Sequence, residues 1–283
     1  MQQQIAMVTG ATAGIGKETA RGLAQQGMTV IVVGRNAEKT ARVAAEIRAT
    51  TGNPNVEPML ADFASLAQVR ALADAFKARY DRLDVLVNNA GIVTQTRQVS
   101  VDGYELMFAV NYLAPFLLTN LLLDVLKASA PARIVNVSSF GYKKGAINFD
   151  DLQWERTFEH RQAYYQTRLG MVLFTLALAR RLDGTGVTAN VLHPGIVKTA
   201  LSHDYMANPV FRFFEQLIAV SPAQGAQTSI FLASSSAVAN VSGQYFEKQR
   251  AEPLHEAAQD QAQQERLWDV SMILTDLHEM AGA

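Results

Sequence analysis

Two groups of residues in this chain have the types and spacing to do chemistry. Thr9-Gly10-Ala11-Thr12-Ala13-Gly14-Ile15-Gly16 lies between an apolar run and a helical pattern. Glycines permit left-handed backbone and close approach of a ligand. The helix start behind them offers unpaired N–H groups and a partial positive charge to a pyrophosphate. The spacing is Gly-x3-Gly-x-Gly, not the usual Gly-x-Gly-x-x-Gly. A bare tight turn also uses glycines, but the place between strand and helix favours a nucleotide. The second group is Tyr164 and Arg168, at i and i+4, and so one turn apart on one helix face. A tyrosine hydroxyl ordinarily titrates at about 10, so a fixed cation nearby is needed to make it a useful acid or base near neutrality.

The elements that must position these groups follow from the hydrophobic pattern. Strands are expected at Ile5–Thr9, Thr29–Val33, Val56–Leu60, Val85–Asn88, Arg133–Val137 and Val187–Leu192. Helices are expected at Ile15–Gln26, Ala37–Thr50, Leu66–Tyr80, near 113–128, and at Gln162–Leu182. Such alternation implies right-handed βαβ crossovers. Runs such as Val30-Ile31-Val32-Val33 lack polar alternation, which fits strands buried on both faces. The expectation is a single α/β domain over 1–283, a Rossmann-type doubly wound parallel sheet flanked by helices.

Composition removes several classes. With no cysteine there is no disulfide framework, thiolate nucleophile or Cys-ligated metal. The histidines show no metal-ligand spacing, so no metal is expected. Lys+Arg 25 against Asp+Glu 26 gives no electrostatic footprint for nucleic acid. Met1-Gln2-Gln3-Gln4 does not read as a signal peptide. The apolar stretch Leu113–Leu126 is shorter than the roughly 20 residues of a membrane span, and Pro115, Asn120 and Asp124 interrupt it. A soluble, cytoplasmic protein without a membrane span is expected. Charged residues are 18% of the chain, below the usual value of about 25%, which suggests surface covered by a cofactor or another subunit.

The glycine loop resembles that of the short-chain dehydrogenase/reductase family, and further motifs of that family follow in order. They are Asp62, Asn88-Asn89-Ala90-Gly91, Asn111, Ser138-Ser139, Tyr164 and His193-Pro194-Gly195, within a resemblance spanning at least 4–247. Gly16-Lys17-Glu18-Thr19-Ala20, Asp150-Asp151-Leu152, Gln166-Thr167-Arg168-Leu169, Gly243-Gln244-Tyr245-Phe246 and Leu267-Trp268-Asp269-Val270-Ser271 look like the retinol dehydrogenase-like branch. No N-terminal membrane anchor of the kind many animal members carry is expected, and the chain is expected to be a soluble relative.

The resemblance implies a nicotinamide dinucleotide held by Gly10, Thr12, Gly14, Ile15 and Gly16. Asp62 would bond the adenine, and Asn89, Ala90 and Gly91 would line the adenosine side. Asp62 can equally be an N-cap-like residue before the helix at Ser65. Pro194, Gly195, Val197 and Thr199 would hold the nicotinamide side, although a Pro-Gly turn is also ordinary loop punctuation. An acidic residue after the second strand would accept from a ribose 2′-OH and repel a 2′-phosphate. Here the strand ends Val33-Gly34-Arg35-Asn36, and Lys39 lies one turn on. Arg35 suits a phosphate, or is an exposed arginine beside an Asn36 cap. NADP(H) is expected ahead of NAD(H).

The resemblance also assigns chemistry. Ser139 polarises a carbonyl, Tyr164 transfers the proton and Asn111 holds a relay water, with Ser138 the adjacent alternative to Ser139. Where the family has lysine, this chain has Arg168. A guanidinium keeps the positive charge but cannot pass a proton onward. Lys143 or Lys144 could substitute, and Tyr165 has Leu169 at its i+4 position. Two readings follow. One is an NADP(H)-dependent oxidoreductase interconverting a hydrophobic alcohol and its aldehyde or ketone, with Tyr164 as proton donor or acceptor. The other is a catalytically impaired dinucleotide-binding protein with a sensor or assembly role. Asn111, Ser139 and Tyr164 together favour the first.

Residues 200–220, with Leu201, Tyr205, Phe211, Phe213 and Phe214, form the family's substrate lid, or else simply pack on the core. Helices 113–128 and 162–182 are apolar on more than one face, which implies a homodimer or homotetramer. A C-terminal amphipathic helix over 257–280 docks near the cleft, on a neighbouring subunit, or as a core cap. If Arg35 holds a 2′-phosphate, Arg35→Ala weakens NADPH binding and flattens its salt dependence; an unchanged dissociation constant would refute the assignment.

Overall fold

The computed structural model describes residues 3–197 and 220–277. The strands are β1 Ile5–Thr9, β2 Thr29–Gly34, β3 Val56–Leu60, β4 Val85–Asn88, β5 Ala132–Val137, β6 Val187–His193, β7 Tyr245–Glu247 and β8 Arg250–Glu252. They form one sheet in the order β3-β2-β1-β4-β5-β6-β7-β8. The pairs up to β7 are parallel, and β8 adds antiparallel to β7. The strand order reverses between β1 and β4, where an open α/β sheet leaves a crevice at its carboxyl ends.

Helices α1 Gly14–Gln25, α2 Ala37–Thr51, α3 Leu66–Lys77 and α7 His160–Arg181 lie within a few residues of the expected spans. The sheet divides the core in two. Alternate strand residues such as Met7, Ile31, Leu86 and Ile134 face one cluster with α3, α7 and the helical residues Phe116, Leu117 and Leu118. Val8, Val32, Val87 and Val135 face the other with α1 and α2. Both faces are apolar because both are covered.

The helix expected near 113–128 is segmented. It runs as α4 (Leu106–Phe108), a π turn (Ala109–Leu113), α5 (Ala114–Leu121) and α6 (Leu123–Ala128). Pro115 supplies no N–H for an α-type bond one turn back. Helix α8, Pro222–Ser234, was not expected, although its start is marked by a capping box between Ser221 and Gln224 with Pro222 behind. Strands β7 and β8 are three residues each, too short to carry a pattern.

The C-terminal helix α9 spans Gln261–Leu274, capped by Asp260 accepting from the Gln263 N–H. It is a core cap. Trp268 packs edge-on against Phe116 at 5.1 Å and stacks on Phe174 at 5.8 Å. Tyr112 and Ser271 share a buried hydrogen bond of 2.8 Å. Glu265 pairs with both Arg180 and Arg181, at 2.7 and 2.5 Å. The chain's own α9 thus covers part of the apolar surface of α5 and α7 from which a two-fold partner was expected. Of the expected lid, only Val220 lies within the described residues, where it bridges to Val197.

Hydrogen bonds from Arg181 and Arg180 hold the Glu265 carboxylate down to about 2. A depressed folded-state value stabilises above the ordinary carboxylate range and is lost as pH falls toward the folded value. The stability gap between wild type and Glu265→Gln is therefore expected to shrink as pH falls from about 6 to about 3, read by urea midpoints. A gap constant with pH would show that the clamp contributes nothing.

A candidate active site at the carboxyl edge of the sheet

The glycine loop is built to bring backbone together. Gly10 and Gly14 are left-handed, with φ 63 and 54. A Cβ on Gly10 would lie 2.8 Å from Ala90 Cα, and one on Gly16 would strike the Asn89 amide and the Gly10 carbonyl. Asn89 Nδ2 donates to the Thr9 carbonyl at 2.8 Å, and Thr9 Oγ1 accepts from the Asn89 and Ala90 N–H groups at 3.0 Å each. Ala13 gives the start of α1 no side-chain cap. Its N–H groups thus face a cradle that a side chain would fill, and these residues fit a dinucleotide diphosphate.

Thr12 lies against Gly34, next to exposed Arg35. Asn36 Oδ1 caps α2 by accepting from the Lys39 N–H at 2.8 Å. Neither Arg35 nor Lys39 takes part in an ion pair among the described residues. Asp62 is not the cap of α3; Ser65 is. Asp62 Oδ1 instead accepts from the Ala64 N–H at 2.9 Å, in a turn at the end of β3. Gly195 is left-handed with φ 86, Val197 is buried, and Thr199 lies outside the described residues. Gly225 in α8 went unremarked in the sequence. A Cβ there would sit 2.6 Å from Val197 Cγ2 and 3.3 Å from Ile15 Cγ1. It lets α8 join the glycine loop to the Pro194–Val197 segment, and a glycine inside a helix is the signal.

The catalytic-type residues converge from different elements. Asn111 stands in the π turn, a local geometry frequent at functional sites. Its Oδ1 accepts from the Ile92 N–H at 2.7 Å, and its Nδ2 donates to the Ile92 carbonyl at 3.0 Å. The side chain thus fixes the turn after β4. Its i+4 neighbour is Pro115, so the Asn111 carbonyl has no α-helical donor, a spacing already visible in the sequence.

The two serines separate. Ser138 is buried and donates to the Arg168 carbonyl at 2.8 Å. Ser139 is half-buried, and its Oγ accepts from the Gly141 N–H at 3.1 Å. Its own proton remains to be donated.

Tyr164 is 7% exposed, in a cluster with Met107 and Ala163 against which Ile92, Val93, Trp154 and Phe158 pack. Arg168 is 4% exposed. Its guanidinium carbon stands 4.7 Å from the Tyr164 ring centroid. Nη1 donates to the Val137 carbonyl at 3.4 Å, Nε is buried without a partner, and Nη2 abuts Gly91 so closely that a Cβ would lie 2.6 Å away. No carboxylate pairs with Arg168 among the described residues. An isolated buried cation costs several kcal/mol, so this site is suited to receive an anion or strong acceptor. The short helix Phe140–Lys144 carries Lys143 over Phe140, at 4.9 Å from that ring.

Among the described residues no cluster of three or more metal-ligating side chains occurs, and no helix is long and apolar enough to cross a membrane. If Ser138 is structural and Ser139 faces the reacting group, Ser138→Ala lowers unfolding free energy by about 1 kcal/mol. Ser139→Ala leaves urea unfolding nearly unchanged and lowers turnover about a hundredfold.

A short chain dehydrogenase family model matches residues 4–209. Mouse retinol dehydrogenase 13 is 44% identical over 278 residues, covering 96% of this chain and 83% of that protein. An uncharacterised protein of Mycobacterium paratuberculosis superposes with a TM-score of 0.78 at 31% identity, over 97% of this chain and 94% of that one. RhlG of Pseudomonas aeruginosa, solved as its NADP active-site complex, gives a TM-score of 0.71 at 28% identity, over 86% of this chain and 93% of that one. With the sheet order and the glycine cradle, these matches place the chain in the short-chain dehydrogenase/reductase family of oxidoreductases, in its retinol dehydrogenase-like branch.

Proposed function

We propose that this chain is an NADP(H)-dependent oxidoreductase that interconverts a hydrophobic alcohol and its aldehyde or ketone. One observation carries the reading: a buried guanidinium stacked at 4.7 Å on Tyr164 with no carboxylate beside it among the described residues. Such a cation suits the negative charge that develops on the reacting oxygen during hydride transfer. The bound nicotinamide supplies or accepts the hydride. The uncapped start of α1 and the glycine cradle suit the diphosphate, and Arg35 with Lys39 suits a 2′-phosphate. The RhlG complex carries NADP, which supports the same preference here.

The chain's own groups have distinct tasks. Tyr164 Oη gives a proton to the carbonyl oxygen, or takes one from the alcohol. Ser139, accepting from Gly141, directs its proton at the same oxygen. Arg168 contributes a fixed positive charge beside the Tyr164 ring and no proton, because a guanidinium stays protonated and passes nothing on. The Asn111 carbonyl, lacking its α-helical donor, suits a relay water. Ile92, Val93, Trp154 and Phe158 around Tyr164 favour an apolar substrate body.

NADPH oxidation with a panel of lipophilic aldehydes and ketones tests the reading. Wild type is expected to turn over, Tyr164→Phe to fall by about a hundredfold or more, and Arg168→Lys to retain or raise the rate. Tight NADPH binding with no wild-type turnover would overturn the enzyme reading.

A further inference from the structure

Beside Ser139 stands positive charge that neither the cofactor site nor Tyr164 uses. Phe140 follows Ser139 directly and is 46% exposed. Lys143 Nζ lies 4.9 Å over its ring. The His193 ring centroid lies 6.3 Å from that of Phe140. His193 ends β6, is 8% exposed, and its Nδ1 has no hydrogen-bond partner. Burial first, then the charges of Lys143 and Lys248, push its imidazole down to about 4. His193 is therefore neutral near pH 7. It lies in register with Glu247 across β6 and β7, which sets Lys248 one residue beyond it.

Lys248 is held there against local preference. It forms the two-residue β7–β8 turn with Gln249, at φ 49 and 63. Both residues are left-handed, where Asn-Gly is the favoured pair. The Gln249 N–H donates to Thr228 Oγ1 at 3.2 Å and pins the turn. Left-handed non-glycine residues persist where surrounding structure over-determines them, often at ligand sites. Glu247, Arg250 and Glu252 line the same depression as Lys248. The Tyr245 hydroxyl is raised first by burial, then by Tyr142 and by those two carboxylates. Neither Lys143 nor Lys248 forms an ion pair among the described residues.

We propose that the substrate carries a carboxylate remote from its reacting carbonyl, held by Lys143 and Lys248 with the exposed Phe140 ring as the apolar wall between that carboxylate and Ser139. This rests on the Ser139–Tyr164 reading above. Lysine is a compact point charge on a flexible stem, which suits a single carboxylate at the end of an apolar body. The pair acts on binding and not on the reacting atoms, so its effect belongs in KM and not in kcat.

The test compares a medium-chain ω-oxo acid with its methyl ester in NADPH-dependent reduction. Wild type is expected to favour the acid in kcat/KM by about fivefold to tenfold, through KM, and less at high salt. Lys143→Ala with Lys248→Ala brings the acid-to-ester ratio to about one, and Lys143→Glu inverts it. A wild-type ratio of one, or a ratio the double variant leaves alone, would overturn the proposal. Absence of turnover with both compounds would sink the enzyme reading instead. Calorimetric binding of acid against ester to the NADP-loaded protein would then still decide the carboxylate site.

Discussion

A parallel sheet buried on both faces constrains everything else in this molecule. Each parallel strand must be followed by a crossover that returns to the same starting edge. All the strand-to-helix connections therefore collect at one edge. Gly10–Gly16, Arg35, Asp62, Asn89–Gly91, Ser138–Ser139 and Pro194–Val197 lie far apart in the chain and share that edge because the hydrogen-bonded order leaves no alternative. The order reverses between β1 and β4, which opens the crevice beside the glycine cradle.

Within that frame, Arg168 is the group most at odds with its surroundings. It is a buried cation with one long bond to a carbonyl, a ring beneath it and an unpartnered Nε. Burying charge without a counter-charge destabilises a fold. The cost is compatible with a folded protein where a ligand or a reacting group supplies the missing partner. Gly91 bears on this directly, since any side chain there would collide with the guanidinium. The Asn-Asn-Ala-Gly turn thus serves the cofactor cradle through Asn89 and the charged residue through Gly91.

The C-terminal helix closes the opposite problem. Helices α5 and α7 expose apolar surface on the side away from the sheet, and such surface must be covered. Trp268, packed between Phe116 and Phe174, does so from within the chain, with Glu265 bonded to Arg180 and Arg181 at the rim. The demand for burial was legible in the pattern, but its source was not, because hydropathy is the same whether the partner is another subunit or a later segment.

The sequence by itself determined the layered α/β class, most strand and helix positions, and the family to which the motifs belong. These rest on local periodicity and on residue types with narrow uses. Set against the family's motif, it also exposed Arg168 as a departure, at the position of the usual lysine. Tertiary structure alone decided which of two adjacent serines is free, since Ser138 spends its proton on a carbonyl of α7 and Ser139 does not. It alone carried Lys143 over Phe140. It alone brought Gly225 against Val197 and Ile15. Each of these is a contact between residues distant in the chain or a choice of side-chain direction. Neither leaves a periodic trace, because both are set by what the folded neighbours leave room for.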